Sequence, residues 1–289
     1  MSYHPVSNCI GELAQPDIKW FLEQNDVVMI HVGSLEQHAY HLPTLCDAMH
    51  GIEITKRISE ATDVPYYPMI WTGYSPQHLK QPGQGWGSVT LRPSTFMDLC
   101  YDVARSAIHH GWNKIMFIFS HASNMKVIDP VIRKLRYETG AFIGILKPYS
   151  ERDLHLIEDV VTSPPEDTAG WHSAEMETAE IMAINEKLVH MDRAVREHTH
   201  TPEWLPKSFV KEDGAADVLF EDERFMVFPM DHNEFTDSGV IGDPFQATKE
   251  KGEKFLQLYA DYGIKAINEI KKVKVAPLKK RKFDCRADW

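Results

Sequence analysis

The sequence lacks the features that mark several large classes of protein. No apolar run in its 289 residues approaches the roughly 18 residues of a membrane-spanning helix. The first five residues lack the basic-then-apolar layout of a secretory signal. The four cysteines form no CxxC pair and are too few for a disulfide scaffold. We therefore expect a soluble protein of a reducing, cytoplasmic compartment, without a membrane partner.

Positive charge is also scarce over most of the chain. The 31 lysines and arginines are outnumbered by 42 aspartates and glutamates, which gives a formal net charge of −11. Attachment to phosphates needs a positive face, so we expect no nucleic-acid partner. The exception is residues 271–289, which we delimit as a basic C-terminal tail. A frayed or partner-packed terminus is favoured there over a nucleic-acid or membrane contact.

Short apolar runs alternate with segments of helical period along the rest of the chain. The runs that predict buried strands are 27–32, 66–71, 115–119 and 141–146, with a further strand near 225–228. Helices are predicted over 47–61, from Ser94 or Thr95 to Gly111, and over 120–137, 173–184 and 248–270. This alternation is typical of a parallel sheet with helices on both faces. The predicted fold is α/β: one three-layer α/β/α domain over residues 1–270 with a mainly parallel central sheet.

Ligands of such sheets lie beyond the carboxyl ends of the strands, and polar clusters follow two of the predicted strands. Glu36 and His38, two residues apart in an extended loop, point the same way, and Asp47 opens the next helix. Carboxylates and imidazoles together suit Zn²⁺ or Mn²⁺. An N-cap role for Asp47 and a hydrogen-bonded loop role for His38 are equally compatible with this cluster.

Two further clusters carry histidine. His121 directly follows the strand 115–119, where a ligand role is favoured over that of a satisfied polar residue. His172, Glu175 and Glu177 open the helix 173–184. An acidic first turn also stabilises a helix through its dipole, and for Glu175 this simpler role is the stronger interpretation.

In this order, the clusters resemble the creatininase family of metal-dependent hydrolases. The family pattern is close to GSxEQHGxHLPxxxD, then NGHGGN, then HAGxxET. The matching stretches are Gly33–Asp47, Ser120–Asn124 and His172–Thr178, with a later similarity over 238–252. The resemblance covers the chain from about residue 20 to about residue 270. It implies the creatininase-like α/β fold, a small-molecule substrate and a homo-oligomer, commonly a hexamer.

The resemblance also implies two divalent metal ions per subunit, zinc or manganese. Carried over residue by residue, the ligands are Glu36, His38, Asp47, His121 and a late glutamate, with Asp47 bridging the ions. Creatininases proper have a glutamate two residues after the histidine that matches His121, whereas this chain has Ser123. The missing carboxylate is expected from Glu177. This departure makes creatinine itself a doubtful substrate.

The implied reaction is attack by a metal-bound hydroxide on a small cyclic or formyl amide. His172 is the expected proton donor to the leaving group, because an imidazole can both take and give a proton near neutral pH. Glu175 could orient or tune His172. Trp171 and Trp86 are expected as walls of the substrate pocket, with Ser123 also facing the substrate. The alternative for the glycine-rich loop that carries Trp86 is a longer surface loop.

Two other functions stay open on the sequence. Some creatininase-like proteins of inositol catabolism are thought to hydrolyse a carbon–carbon bond of a cyclic polyol diketone of the 3-dehydro-scyllo-inosose type. Ser123 and the glycine–tryptophan loop are compatible with that activity. A non-catalytic metal-binding scaffold is the third interpretation, and it is disfavoured because the proposed acid–base residue and all ligand types are present.

Overall fold

A computed structural model describes residues 3–79, 85–147 and 154–288 of the chain. Its centre is a four-stranded parallel sheet with the strand order β2-β1-β3-β4. A separate antiparallel pair is formed by β5 and β6. The strands are β1 Val27–Val32, β2 Tyr66–Ile70, β3 Lys114–Phe119, β4 Phe142–Leu146, β5 Asp217–Phe220 and β6 Glu223–Val227.

Helices cover both faces of the central sheet. The α-helices are α1 Gln15–Gln24, α2 Cys46–Thr62, α3 Pro93–His110, α4 Met125–Thr139, α5 Glu175–Asn185 and α6 Lys249–Lys271. Alternate residues of β1 point to opposite faces of the sheet. Val28 and Ile30 pack against α1, α3 and α4, whereas Val27 and Met29 pack against α2 and α6. The predicted three-layer α/β/α fold with a mainly parallel sheet is confirmed.

The predicted elements agree with the structure except in three places. The helix expected to start at Ser94 or Thr95 begins at Pro93, because proline fits the first helical turn, where its missing N–H is not needed. Helix α1 was not predicted. The strand expected near 225–228 is one arm of the β5–β6 hairpin, which turns through Glu221 and Asp222, both at positive φ.

The basic C-terminal tail packs back onto the domain. The guanidinium of Arg105 on α3 donates hydrogen bonds to the carbonyls of Lys280 and Lys282 and lies over the ring of Phe283. Arg281 donates to the carbonyl of Ile108 at the end of the same helix. The described part of the tail thus packs on its own domain, which was not among the arrangements expected from the sequence. Among the described residues, no helix combines the length and apolarity that crossing a membrane requires.

Helices α5 and α6 cross so closely that a glycine is required at the contact. A Cβ added to Gly252 would lie 1.8 Å from the carbonyl oxygen of Ala179. We expect Gly252→Ala to lower the free energy of unfolding by about 1–3 kcal/mol, because the backbone of α5 must move to make room. Urea denaturation measures the loss. Lys254→Ala, an exposed change on the same helix, serves as the control and should be near neutral. A Gly252→Ala variant as stable as wild type would contradict this view of the crossing.

Candidate metal centre and substrate cavity

The predicted ligands converge at the carboxyl ends of β1 and β3. Their side chains are buried although all are ionisable. The loop after β1 supplies the first two, the opening turns of α2 and α5 supply one carboxylate each, and the loop after β3 supplies an imidazole. In chain order these residues are Glu36, His38, Asp47, His121 and Glu177.

One group of donors forms around His121. Its Nδ1 lies 3.2 Å from Oε2 of Glu36 and 3.4 Å from Oδ2 of Asp47. Ser34 donates a hydrogen bond to the same Glu36 oxygen at 2.7 Å, which holds that carboxylate in place. Two ligands bound about 2.1 Å from one tetrahedral ion lie about 3.4 Å apart, so this spacing suits a shared cation.

A second group forms around His38. Its Nε2 lies 3.6 Å from Oε2 of Glu177 and 3.8 Å from Oδ1 of Asp47. Both separations exceed the normal hydrogen-bond distance but match the spacing of ligands on one ion. The two oxygens of Asp47 thus face two different imidazoles. The donors present fit a pair of divalent cations, with Asp47 between them.

The electrostatics of the cluster favour added positive charge. Burial raises the pKa of Glu36 to about 7. Burial opposes protonation of His121, but the carboxylates of Glu36 and Asp47 outweigh it and raise the pKa of this histidine to about 9. Burial likewise opposes ionisation of Asp47, whose pKa is nevertheless held well below its usual range by His38 and His121. Protons on the neighbouring imidazoles therefore balance the negative charge of the buried carboxylates. Divalent cations would take the place of those protons.

A cavity of about 760 Å³ opens onto this centre. Trp171, Ser123 and His172 line it, with Phe235 beside Trp171. The Ser123 hydroxyl accepts a hydrogen bond from Nε2 of Gln77 at 2.8 Å.

The structure does not bring Trp86 to the cavity. Its side chain is 81% exposed and is not among the described lining residues. Gly85 and Gly87 on either side both have positive φ, and this turn carries the indole outwards. The surface-loop interpretation fits Trp86 in this chain. Residues 80–84 of the same loop lie outside the described part of the chain.

His172 lies between the metal centre and the cavity. Its Nε2 donates to the carbonyl of Gln37 at 2.7 Å, and its Nδ1 faces Oε1 of Glu36 at 3.9 Å. Burial, together with the nearby imidazoles of His38 and His232, holds the pKa of His172 well below its usual value. The ring is therefore neutral at neutral pH, with the lone pair of Nδ1 towards the proposed metal site.

Glu175 does not meet its predicted role of orienting His172. Its buried carboxylate accepts hydrogen bonds from Nζ of Lys251 at 2.5 Å and from the backbone of Thr162 and Ser163. Burial opposes its ionisation, but these donors lower the pKa of Glu175 below its ordinary value. The first helical turn directs Glu175 away from the cavity and Glu177 towards it, so Glu175 ties α5 to α6.

Sequence reasoning missed four ionisable residues around the centre. Nε2 of His78 lies 3.1 Å from Oε1 of Glu36, and the ring of His232 contacts that of His78 at a tilt, with ring centroids 4.1 Å apart. The position of His78 just beyond β2 was a usable signal, whereas no motif marks His232. His50 and Glu180 lie one helical turn after Asp47 and Glu177. That spacing of three residues was a signal for a shared helix face.

Comparisons with known proteins agree with this geometry. The model of the Creatininase family, described as creatinine amidohydrolase, matches residues 11–267. A creatinine amidohydrolase of Pseudomonas putida is 26% identical over 272 residues, which are 90% of this chain and 96% of the relative. A 3-dehydro-scyllo-inosose hydrolase of Thermotoga maritima is 25% identical over 277 residues, 92% of this chain and 84% of the relative.

Solved structures show the same fold. A structure titled "Creatininase Mn" superposes with a TM-score of 0.71 at 26% identity, covering 92% of this chain and all of that chain. A second structure, of a mutant creatininase described as "Zn-Zn type", also gives a TM-score of 0.71 at 26% identity, with 93% of this chain and all of that chain covered. Manganese and zinc are thus named for similar proteins.

Proposed function

Because the chain belongs to the creatininase family, we propose that it is a hydrolase in which two divalent cations, zinc or manganese, serve the cleavage of a small cyclic or formyl amide. The observation that carries the proposal is the placement of Asp47. One of its oxygens faces the Glu36–His121 donors and the other faces the His38–Glu177 donors. A single bridging carboxylate between two donor groups is the arrangement that a two-metal site needs.

Bound cations would supply a water molecule activated near neutral pH and would polarise the scissile bond. The chain itself provides the proton transfer. His172 enters the reaction neutral, so its Nδ1 first accepts a proton and then returns it to the leaving group. The hydrogen bond from Nε2 to the Gln37 carbonyl selects this tautomer and holds the ring in place.

The cavity walls favour a small, partly flat substrate. Trp171 and Phe235 provide apolar surface on one side, while Gln77 and Ser123 provide hydrogen-bonding groups. A substrate seated between them would reach the metal centre with one end. Ser123 contributes a neutral hydroxyl that can bind a polar group of the substrate.

Hydrolysis of a carbon–carbon bond in a cyclic polyol diketone is the second candidate. It is favoured by the polar groups of Ser123 and Gln77, which suit a hydroxyl-rich ring, and by the likeness to the Thermotoga relative. The same His172 would deliver the proton to a carbon-based leaving group instead of a nitrogen.

A substrate panel tests both candidates. The full-length protein, loaded in turn with Mn²⁺ and Zn²⁺, is assayed against cyclic and formyl amides and against keto-inositols, with its metal content measured in parallel. Turnover of an amide supports the first candidate, and turnover of a keto-inositol supports the second. No turnover of either class with two ions bound per subunit would contradict both and would support a metal-binding scaffold.

We also propose that the chain forms a homo-oligomer through the β5–β6 hairpin. Strand β6 is exposed along its whole length, with Phe225 84% and Val227 64% exposed. Val227 also lines the cavity, so a second copy of the chain docked there would border the substrate.

Phe225→Asp is expected to shift the protein from an oligomer to a monomer, because it places a charge at the centre of this apolar surface. Light scattering after size exclusion reads out the mass. Tyr137→Asp removes a comparably exposed ring from α4, on the opposite side of the sheet from α6, and should leave the mass unchanged. A wild-type monomer, or an unchanged Phe225→Asp oligomer, would contradict the proposed interface.

A further inference from the structure

A second pair of buried ionisable residues lies directly beneath the metal centre. His50 is one turn after Asp47 on α2, and Glu180 is one turn after Glu177 on α5. His50 is 2% exposed and Glu180 is fully buried. Burying a carboxylate and an imidazole in a core is costly unless both have partners of opposite charge. Here Glu180 faces His50, and His50 also faces Asp47.

His50 lies near Oδ1 of Asp47, the same oxygen that His38 faces. Its Nε2 lies 3.7 Å from Oδ1 of Asp47, and Nε2 of His38 lies 3.8 Å from that oxygen. One ligand atom each from His50, Asp47 and Glu177 fall within 4.8 Å of one another. His50 thus lies near the two carboxylates that also face His38, those of Asp47 and Glu177, within reach of an ion held between them.

Glu180 supplies the partner that a metal-bound histidine requires. Its Oε2 lies 3.5 Å from Nδ1 of His50, on the far side of the ring from Asp47. Neither Glu180 oxygen makes a hydrogen bond within the described residues. Histidine ligands commonly give their other ring N–H to a carboxylate, which fixes the tautomer and makes the ligating nitrogen more basic. A proton on Nδ1 facing Glu180 leaves the lone pair of Nε2 towards Asp47 and Glu177.

We propose that His50 is a fourth protein ligand of one of the two cations, together with His38, Asp47 and Glu177, and that Glu180 orients it. This inference rests on the proposed two-cation centre. Two nitrogens and two oxygens make a closed tetrahedral set that favours zinc. The other group, Glu36, Asp47 and His121, has three protein donors and keeps a position open beside the cavity. The cation held by His50 would thus have one more protein donor than the other cation, and we expect it to be the more tightly bound of the two.

Wild-type protein gives a test that needs no variant. Metal-free full-length protein is loaded with one equivalent of zinc per subunit, and X-ray absorption is used to count imidazole ligands. Two imidazoles on this tightly bound zinc are expected, from His38 and His50. One imidazole would overturn the inference, because His50 would then lie beside Asp47 without binding the ion.

Variants supply a second readout that is independent of activity. His50→Gln should weaken the tighter zinc by about 100-fold or more, and Glu180→Gln by about 10- to 100-fold through loss of orientation. His31→Gln is the matched control. His31 is an equally buried imidazole whose Nε2 lies 3.1 Å from the Ser120 hydroxyl, so this variant should retain wild-type zinc affinity. Circular dichroism confirms that each variant is folded.

The outcomes also separate this inference from the proposed function. Wild-type zinc affinity in His50→Gln would overturn the role of His50 and leave the two-cation centre intact. Failure of the wild-type protein to bind two ions would instead overturn the proposed function, and with it the premise of this inference.

Discussion

Asp47→Asn is expected to remove both cations and to abolish hydrolysis. Each Asp47 oxygen faces a different group of donors, at 3.4 Å from His121 and 3.8 Å from His38. An amide offers only one oxygen and no charge, so neither group can close around an ion as before. We expect the catalytic rate to fall by roughly a thousand-fold or more, because both the activated water and the polarised bond depend on the ions.

Elemental analysis after extensive dialysis measures the loss of metal. Asp243→Asn is the matched control, because Asp243 is similarly buried but accepts a hydrogen bond from the backbone N–H of Phe245, away from the donors. It should keep two ions per subunit. Two ions retained in Asp47→Asn would contradict the bridging role of Asp47 and, with it, the whole arrangement of the centre.

His172→Ala is expected to leave both ions in place and to lower kcat by about 100- to 10,000-fold, the usual range for a general acid–base residue. The reason is geometric. Nε2 of His172 is occupied by the Gln37 carbonyl, so Nδ1 is the atom that can carry a proton between the metal centre and the substrate. Metal analysis and steady-state kinetics on the same sample separate the two effects.

Glu175→Gln is the informative companion of this variant. Because Glu175 pairs with Lys251 and does not face the cavity, the change should lower stability and leave kcat nearly unchanged. A large loss of kcat in Glu175→Gln with unchanged stability would restore the catalytic role first expected for it. Loss of metal in His172→Ala would instead show that His172 is a ligand.

The strands and most helices could be predicted because their signals are local. β1 and β3 are mostly apolar runs that are buried on both faces, and α2 and α3 carry apolar residues at helical spacing. The meeting of Glu36 with His121 also followed from topology, since neighbouring parallel strands end at one edge of the sheet. The β5–β6 hairpin gave a weaker signal because β6 is exposed on both faces and has no alternation to detect.

The orientation of single side chains was beyond such reasoning. Glu175 and Glu177 are two residues apart in one acidic turn, and no sequence pattern distinguishes their roles. Only the packing of α5 against α6 assigns one to Lys251 and the other to His38. Trp86 was placed in the cavity by its glycine-rich surroundings, whereas the backbone of that turn directs it outwards.

The sequence by itself determined the α/β architecture and the chemical types gathered at one edge of the sheet, because hydrophobic periodicity and strand order are properties of the chain. The tertiary structure alone decided which oxygen of Asp47 faces which imidazole, that His78 and His232 join the cavity, and that His50 and Glu180 lie beneath it. Those contacts join residues far apart in the chain, and their distances follow from how helices pack on the sheet, which no local pattern encodes.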